Sequence, residues 1–130
     1  LPARGADRRQ ALKLMAIATG AADKGIAQLY EGAFRPAEKR HEPWVARCRA
    51  QMEQGLAELD RACAATSSQW LLGTRMTQAD ITVTAASTFL IESLQLDAMR
   101  WPALNARRLR GEAIAAFREL HQAFFVPKTS

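Results

Sequence analysis

The reactive side chains of this 130-residue chain are few. It holds two histidines and two cysteines. His41 falls in the charged run 35–42, and His121 sits beside Gln122 near the end of the last expected helix. Neither has a Cys, Asp or Glu at ligand spacing, so no metal site is assigned. Cys48 and Cys63 are expected on one helix. At about 1.5 Å of rise per residue they lie roughly 22 Å apart along its axis. A disulfide requires Cα atoms within about 7 Å, so the two do not pair there. Both fall on an apolar stripe, where a thiol is a small buried hydrophobe rather than a nucleophile. Free thiols fit a reducing, cytoplasmic compartment. No residue is assigned as catalytic.

Asp23 and Lys24 are better placed for binding. They lie among Ala16, Ala18, Gly20, Ala21, Ala22, Gly25 and Ala27. Such a small-residue run lets a ligand or another backbone approach closely, although each Gly costs a helix about 1 kcal/mol relative to Ala. A lysine there favours the charged form of a thiolate or carboxylate; an aspartate opposes it, unless it orders the lysine or receives an ammonium group. The competing reading is an exposed polar stripe continuing through Gln28 and Glu31. Tyr30 and Phe34 read as core or dimer-contact residues. Phe124 and Phe125 either cap a pocket or pack as a plain tail. Arg100, Arg107, Arg108, Arg110 and Arg118 form the main basic cluster. Without interleaved aromatics or a nucleic-acid-binding motif, they read as a solvated face.

The elements that position these residues follow from composition and period. The chain is 48% apolar. It is rich in Ala and Leu and lacks hairpin dipeptides, which favours an all-α fold, a bundle of five or so helices. Net charge is +5 and the isoelectric point about 9.9; this bears on steering, not on fold. No apolar run approaches the 20 or so residues that span a membrane. Residues 1–6 read as a linker, 7–126 as the helical domain and 127–130 as a tail. Leu1-Pro2 reads as a point inside a longer chain. Arg8-Arg9 before Leu14–Ala22 has the look of a twin-arginine export signal, yet the pattern continues to Phe34 and fits an amphipathic helix over about 7–33, with Asp7 as N-cap.

Pro43 suits the first turn of a second helix, about 43–66. Val45, Cys48, Met52, Leu56, Leu59 and Cys63 form one stripe at helical period. A third helix spans about 78–93 and is apolar nearly all round, which places it at the centre of a domain. Pro102 opens a fourth that ends near Gly111, and a fifth covers about 112–123. Phe124-Phe125-Val126-Pro127 is an apolar tail.

The most specific segment is Trp70-Leu71-Leu72-Gly73 followed by Met76-Thr77-Gln78-Ala79-Asp80-Ile81. Thr77 is a candidate N-cap, and Asp80 can reach back to its N–H in a capping box. Met76 and Ile81 are placed for a hydrophobic staple. Both Thr77 and Asp80 are assigned structural roles.

This segment closely resembles the capping motif of the glutathione transferases. With the helix order and the Trp101-Pro102-Ala103-Leu104 helix start, residues 7–126 resemble the C-terminal helical domain of a bacterial, beta-like member. The resemblance implies a thioredoxin-like domain upstream, which would bind glutathione as co-substrate and carry the thiol-activating residue. Nothing in this chain matches that domain, so the chain is expected to be inactive alone. The resemblance also implies a homodimer and a small hydrophobic or electrophilic substrate, with this domain shaping the apolar pocket and dimer interface. Beta-class members carry a His-Lys-Gly triplet facing the active site. Here it corresponds to Asp23-Lys24-Gly25, so Lys24 and Gly25 agree and Asp23 departs. Asp23, Lys24, Ala27, Phe124 and Phe125 are therefore the expected substrate or glutathione contacts. The alternative is a non-catalytic helical module that docks other proteins. A nucleic-acid-binding helical domain is a third, weaker reading.

Overall fold

The computed structural model describes residues 2–125. Leu1, Val126, Pro127 and the rest of the expected tail lie outside the described residues. Among the described residues there are five α-helices: α1 Gly5–Phe34, α2 Glu42–Ala64, α3 Gln78–Ser93, α4 Pro102–Glu112 and α5 Ala115–Leu120. Short 3-10 turns at Ala37–Lys39 and Ala98–Arg100 join α1 to α2 and lead into α4. Among the described residues there is no β-strand, only an isolated bridge between Trp70 and Gly73. No described helix is long and apolar enough to cross a membrane.

α1 packs against α2 and α3, and α4 packs against both α2 and α3. The buried face of α1 is its small one: Ala11, Leu14, Ala18, Ala21 and Gly25. The small-residue run therefore serves close helix packing. A Cβ on Gly25 would collide with the buried Leu90 side chain of α3, and one on Gly55 would lie 3.0 Å from the Ala21 Cβ. Gly111 of α4 meets Thr84 of α3 in the same way. Each of three helix crossings thus contains a glycine. The stripe of α2 is buried from Cys48 to Cys63, with only Val45 at its start left partly open.

The helix ends differ from expectation in instructive ways. α1 begins at Gly5, inside the expected linker, with Arg4 in the N-cap position and Asp7 in the first turn instead of capping. α5 is shorter than 112–123. Glu31 is not part of an exposed stripe: it is 9% exposed, accepts from Arg35 at 2.8 Å and accepts from the His41 N–H at 3.1 Å. The Arg35 guanidinium and the His41 N–H hold its carboxyl below the usual value. It thereby fastens the charged connection to α1. Arg40 donates to the Gly32 carbonyl at 2.6 Å and covers the end of the same helix.

The segment before α3 folds around Asp80. Gly73 has φ +126°, a left-handed conformation that glycine tolerates. Trp70 and Gly73 exchange backbone hydrogen bonds. Both halves of the capping box are present. Asp80 Oδ2 accepts from the Thr77 N–H at 2.8 Å and from its hydroxyl at 3.0 Å. Oδ1 accepts from the Leu71 N–H at 2.8 Å. One carboxylate thus ties the turn to the helix start. Trp70 and Leu72 are only partly buried; Leu71 is the residue that reaches the core.

Candidate functional site

α3 is buried on the side of Ala79, Val83, Ser87 and Leu90. α1 and α4 pack against it, as expected of a central helix, but its other side is open. Ile81, Ala85, Phe89 and Glu92 there line a cleft of about 490 Å³ with Met76, Ile114, Phe117, His121 and Phe124. The two staple residues, Met76 and Ile81, are thus exposed walls of this cleft. A second cleft of about 380 Å³ lies between α1 and the tail, lined by Ile26, Leu29, Tyr30, Phe34, Phe124 and Phe125 among others. Phe89, Gln122 and Phe124 belong to both. The chain after α5 therefore crosses one apolar trough and divides it. Phe124 anchors the crossing, its ring edge-on to Phe89 with centroids 5.8 Å apart. Tyr30 and Phe34 pair edge-on at 5.2 Å and are exposed rather than core.

Polar groups in the first cleft are few. The Thr88 hydroxyl donates to Glu112 Oε1 at 2.6 Å. His121 Nε2 lies 3.0 Å from both carboxylate oxygens of Glu92. Spacing along the chain could not reveal this partner, because the two residues are 29 positions apart and meet only through the fold. Among the described residues, no group of three or more His, Cys, Asp or Glu side chains is arranged to hold a metal ion.

The expected contacts divide into two groups. Phe124 lies in both clefts and Phe125 in the second. Asp23, Lys24 and Ala27 line neither. Asp23 is exposed, and Lys24 lies over the Trp44 ring of α2 at 5.5 Å. Gln28, next to Ala27, donates to the Lys24 carbonyl and reaches the Met52 sulfur of α2. Lys24 and Gln28 thus lie on the side of α1 turned to α2, while Ile26, Leu29 and Ala33 line the second cleft.

The remaining candidates are structural. Cys48 and Cys63 are free and buried. Burial pushes the Cys63 thiol up to about 11, which leaves it protonated and unreactive at neutral pH. The basic cluster is not a simple solvated face. Arg107 donates to the carbonyls of Thr66, Ser68 and Gln69 at 2.8, 3.1 and 3.2 Å, closing the end of α2. Arg110 also donates to Gln69. Arg108 donates to Asn105. Arg100 makes a paired contact with Glu53 at 3.0 and 3.1 Å and stacks over Trp101. In return, Asp60 of α2 accepts from the Leu104 N–H at the start of α4.

Comparison with known proteins addresses the whole fold. The family model for the glutathione S-transferase C-terminal domain matches residues 42–119. No curated protein sequence matches the chain. A glutathione S-transferase from Methylobacterium radiotolerans, solved with glutathione sulfonate, is 29% identical with a TM-score of 0.76; the match covers 92% of this chain and 54% of that one. A glutathione transferase family member from Pseudomonas fluorescens, solved with S-(propanoic acid)-glutathione, is 25% identical with a TM-score of 0.79, covering 92% and 59%. The glutathione-bound enzyme from Methylobacillus flagellatus is 22% identical with a TM-score of 0.82, over 91% and 58%, and so speaks to the fold alone. The chain spans little more than half the length of these proteins. Its sequence match extends over more than half of its residues and its helices superpose on theirs: the chain belongs to the glutathione S-transferase C-terminal domain family.

Proposed function

We propose that this chain is the helical half of a glutathione-transferase-type enzyme, joined in the working protein to a thioredoxin-like domain. That domain would bind glutathione and activate its thiol. The helical chain would supply the apolar wall against which a small electrophile lies, and it would help form a homodimer. The observation that carries this reading is the apolar trough along α3 and α1. Ile81, Phe89, Tyr30, Phe124 and Phe125 surround it, and Ile81, Tyr30, Phe124 and Phe125 are exposed in this chain. A continuous exposed apolar surface of this kind marks a ligand or domain contact. The share of the neighbours' length left unmatched, more than two fifths in each, is room enough for a small domain to meet it.

The chemistry assigned to this chain is binding and orientation. Packing an electrophile on Phe124 and Phe89 would desolvate it and hold it for attack by a thiolate, converting an encounter into a positioned reaction. Lys24 would stabilise the thiolate or a glutathione carboxylate by charge. Asp23 would accept from the glutathione ammonium or order Lys24, and Ala27 would leave room for the tripeptide. The test is turnover of a chlorodinitrobenzene by the polypeptide that carries the upstream domain. Glutathione-dependent conjugation is expected there and none from residues 1–130 alone, with Lys24→Ala raising the KM for glutathione. Absence of glutathione dependence would overturn the enzyme reading in favour of an interaction module.

A further inference from the structure

We propose that Glu92 is a positioning residue: through His121 it holds the 121–125 strap across the trough, and it does so in a pH-dependent way. Among the described residues, the hydrogen bonds from this strap to the rest of the molecule are those of His121 to Glu92. The other attachment described is the Phe124 ring on Phe89. α5, which leads into the strap, packs on α4. Among the described residues, the strap thus has a polar contact at His121 and an aromatic contact at Phe124, three residues apart.

The polar contact depends on protonation. As imidazolium, His121 donates from Nε2 to an ionised carboxylate, a charge-assisted bond. As neutral imidazole it keeps that bond in only one tautomer and loses the ion pair in both. The charged side chains that line this cleft with His121 are Glu92 of α3, its partner, and Glu112 of α4, which accepts from Thr88. α1 lends neither cleft a charged side chain, and Arg118 and Glu119 of α5 line neither. Both partners are 38% exposed, so the expected effect is modest, about a two- to five-fold change in the ratio of closed to open strap.

The consequence for substrate access rests on the proposed function; the latch does not, and it is tested without turnover. The measurement is NMR of the chain at about pH 5.5 and about pH 8. It reads the Phe89–Phe124 ring contact and the amide mobility of residues 121–125. The contact is expected to weaken and mobility to rise at the higher pH. Glu92→Gln should give the mobile pattern at both values, and Glu119→Gln should leave the wild-type profile unchanged. A strap equally ordered at both pH values in the wild type, or a pH dependence that survives Glu92→Gln, would overturn the proposal. A trough later shown to serve something other than an electrophile would leave this result standing.

Discussion

The Asp80 carboxylate is 5% exposed and accepts from the N–H groups of both Leu71 and Thr77. Asp80→Ala strands both donors beside the core, and a buried unpaired N–H costs about 1–3 kcal/mol. We expect a loss of about 2–4 kcal/mol once the lost cap is included, seen as a fall in Tm on the order of 10 °C. An unchanged melt would contradict the assignment. The capping box itself was legible from Thr77-x-x-Asp80. The bond to Leu71 was not, because it depends on how the Gly73 turn folds back. Lys24 illustrates the opposite limit. It matches the lysine of the family's triplet, yet in this chain it lies over Trp44, away from both clefts. Its proposed role rests on a surface that only another domain would complete.

At the scale of elements, the helices were legible because period and punctuation agree along most of the chain: the α2 stripe, Pro102 at the start of α4 and the Gly73 turn all stand where expected. Which face of α1 is buried was not legible. The large residues Leu12, Tyr30 and Phe34 are exposed, while Ala18, Ala21 and Gly25 make the crossings. Close backbone approach decides that, and it depends on partners far along the chain. Gly25→Ala should therefore destabilise by about 1–3 kcal/mol through overpacking against Leu90, although alanine is the better helix former; a denaturant midpoint that rises would contradict it. The ends of α2 and α4 are cross-closed by Arg107 and Asp60, so Arg107→Met should lower stability by about 1 kcal/mol, chiefly by unpairing the part-buried Thr66 carbonyl. Acid should act on these same fastenings. The Arg100 guanidinium holds Glu53 below its usual value of 4.5, and the Arg35 guanidinium does so for Glu31. A carboxyl depressed in the folded state contributes stability above 4.5 that is lost as pH falls through its folded value. Denaturation midpoints should thus decline below about pH 4.5, and less steeply in Arg100→Met.

Over the whole molecule, the informative feature is an apolar α3 whose Ile81 and Phe89 side faces an open trough instead of a core. The residues of α3 are apolar nearly all round, a pattern equally consistent with burial in one domain and burial between two. Only the fold shows which face this chain leaves uncovered. The residues of the tail leave Phe124 and Phe125 open between capping a pocket and packing as a plain tail; Phe124 lies where the two clefts meet, and its partner Phe89 and the His121–Glu92 contact could not be read from spacing. The central claim is that this trough is the electrophile side of a glutathione transferase. Its most direct test is the pair of KM values for Phe124→Ala in the polypeptide carrying the upstream domain. Losing an aromatic ring against which the electrophile packs is worth about 1.4 kcal/mol, roughly tenfold. The account predicts about a tenfold rise in KM for the chlorodinitrobenzene with the KM for glutathione within about twofold. An unchanged KM for the electrophile, or a change confined to glutathione, would contradict it.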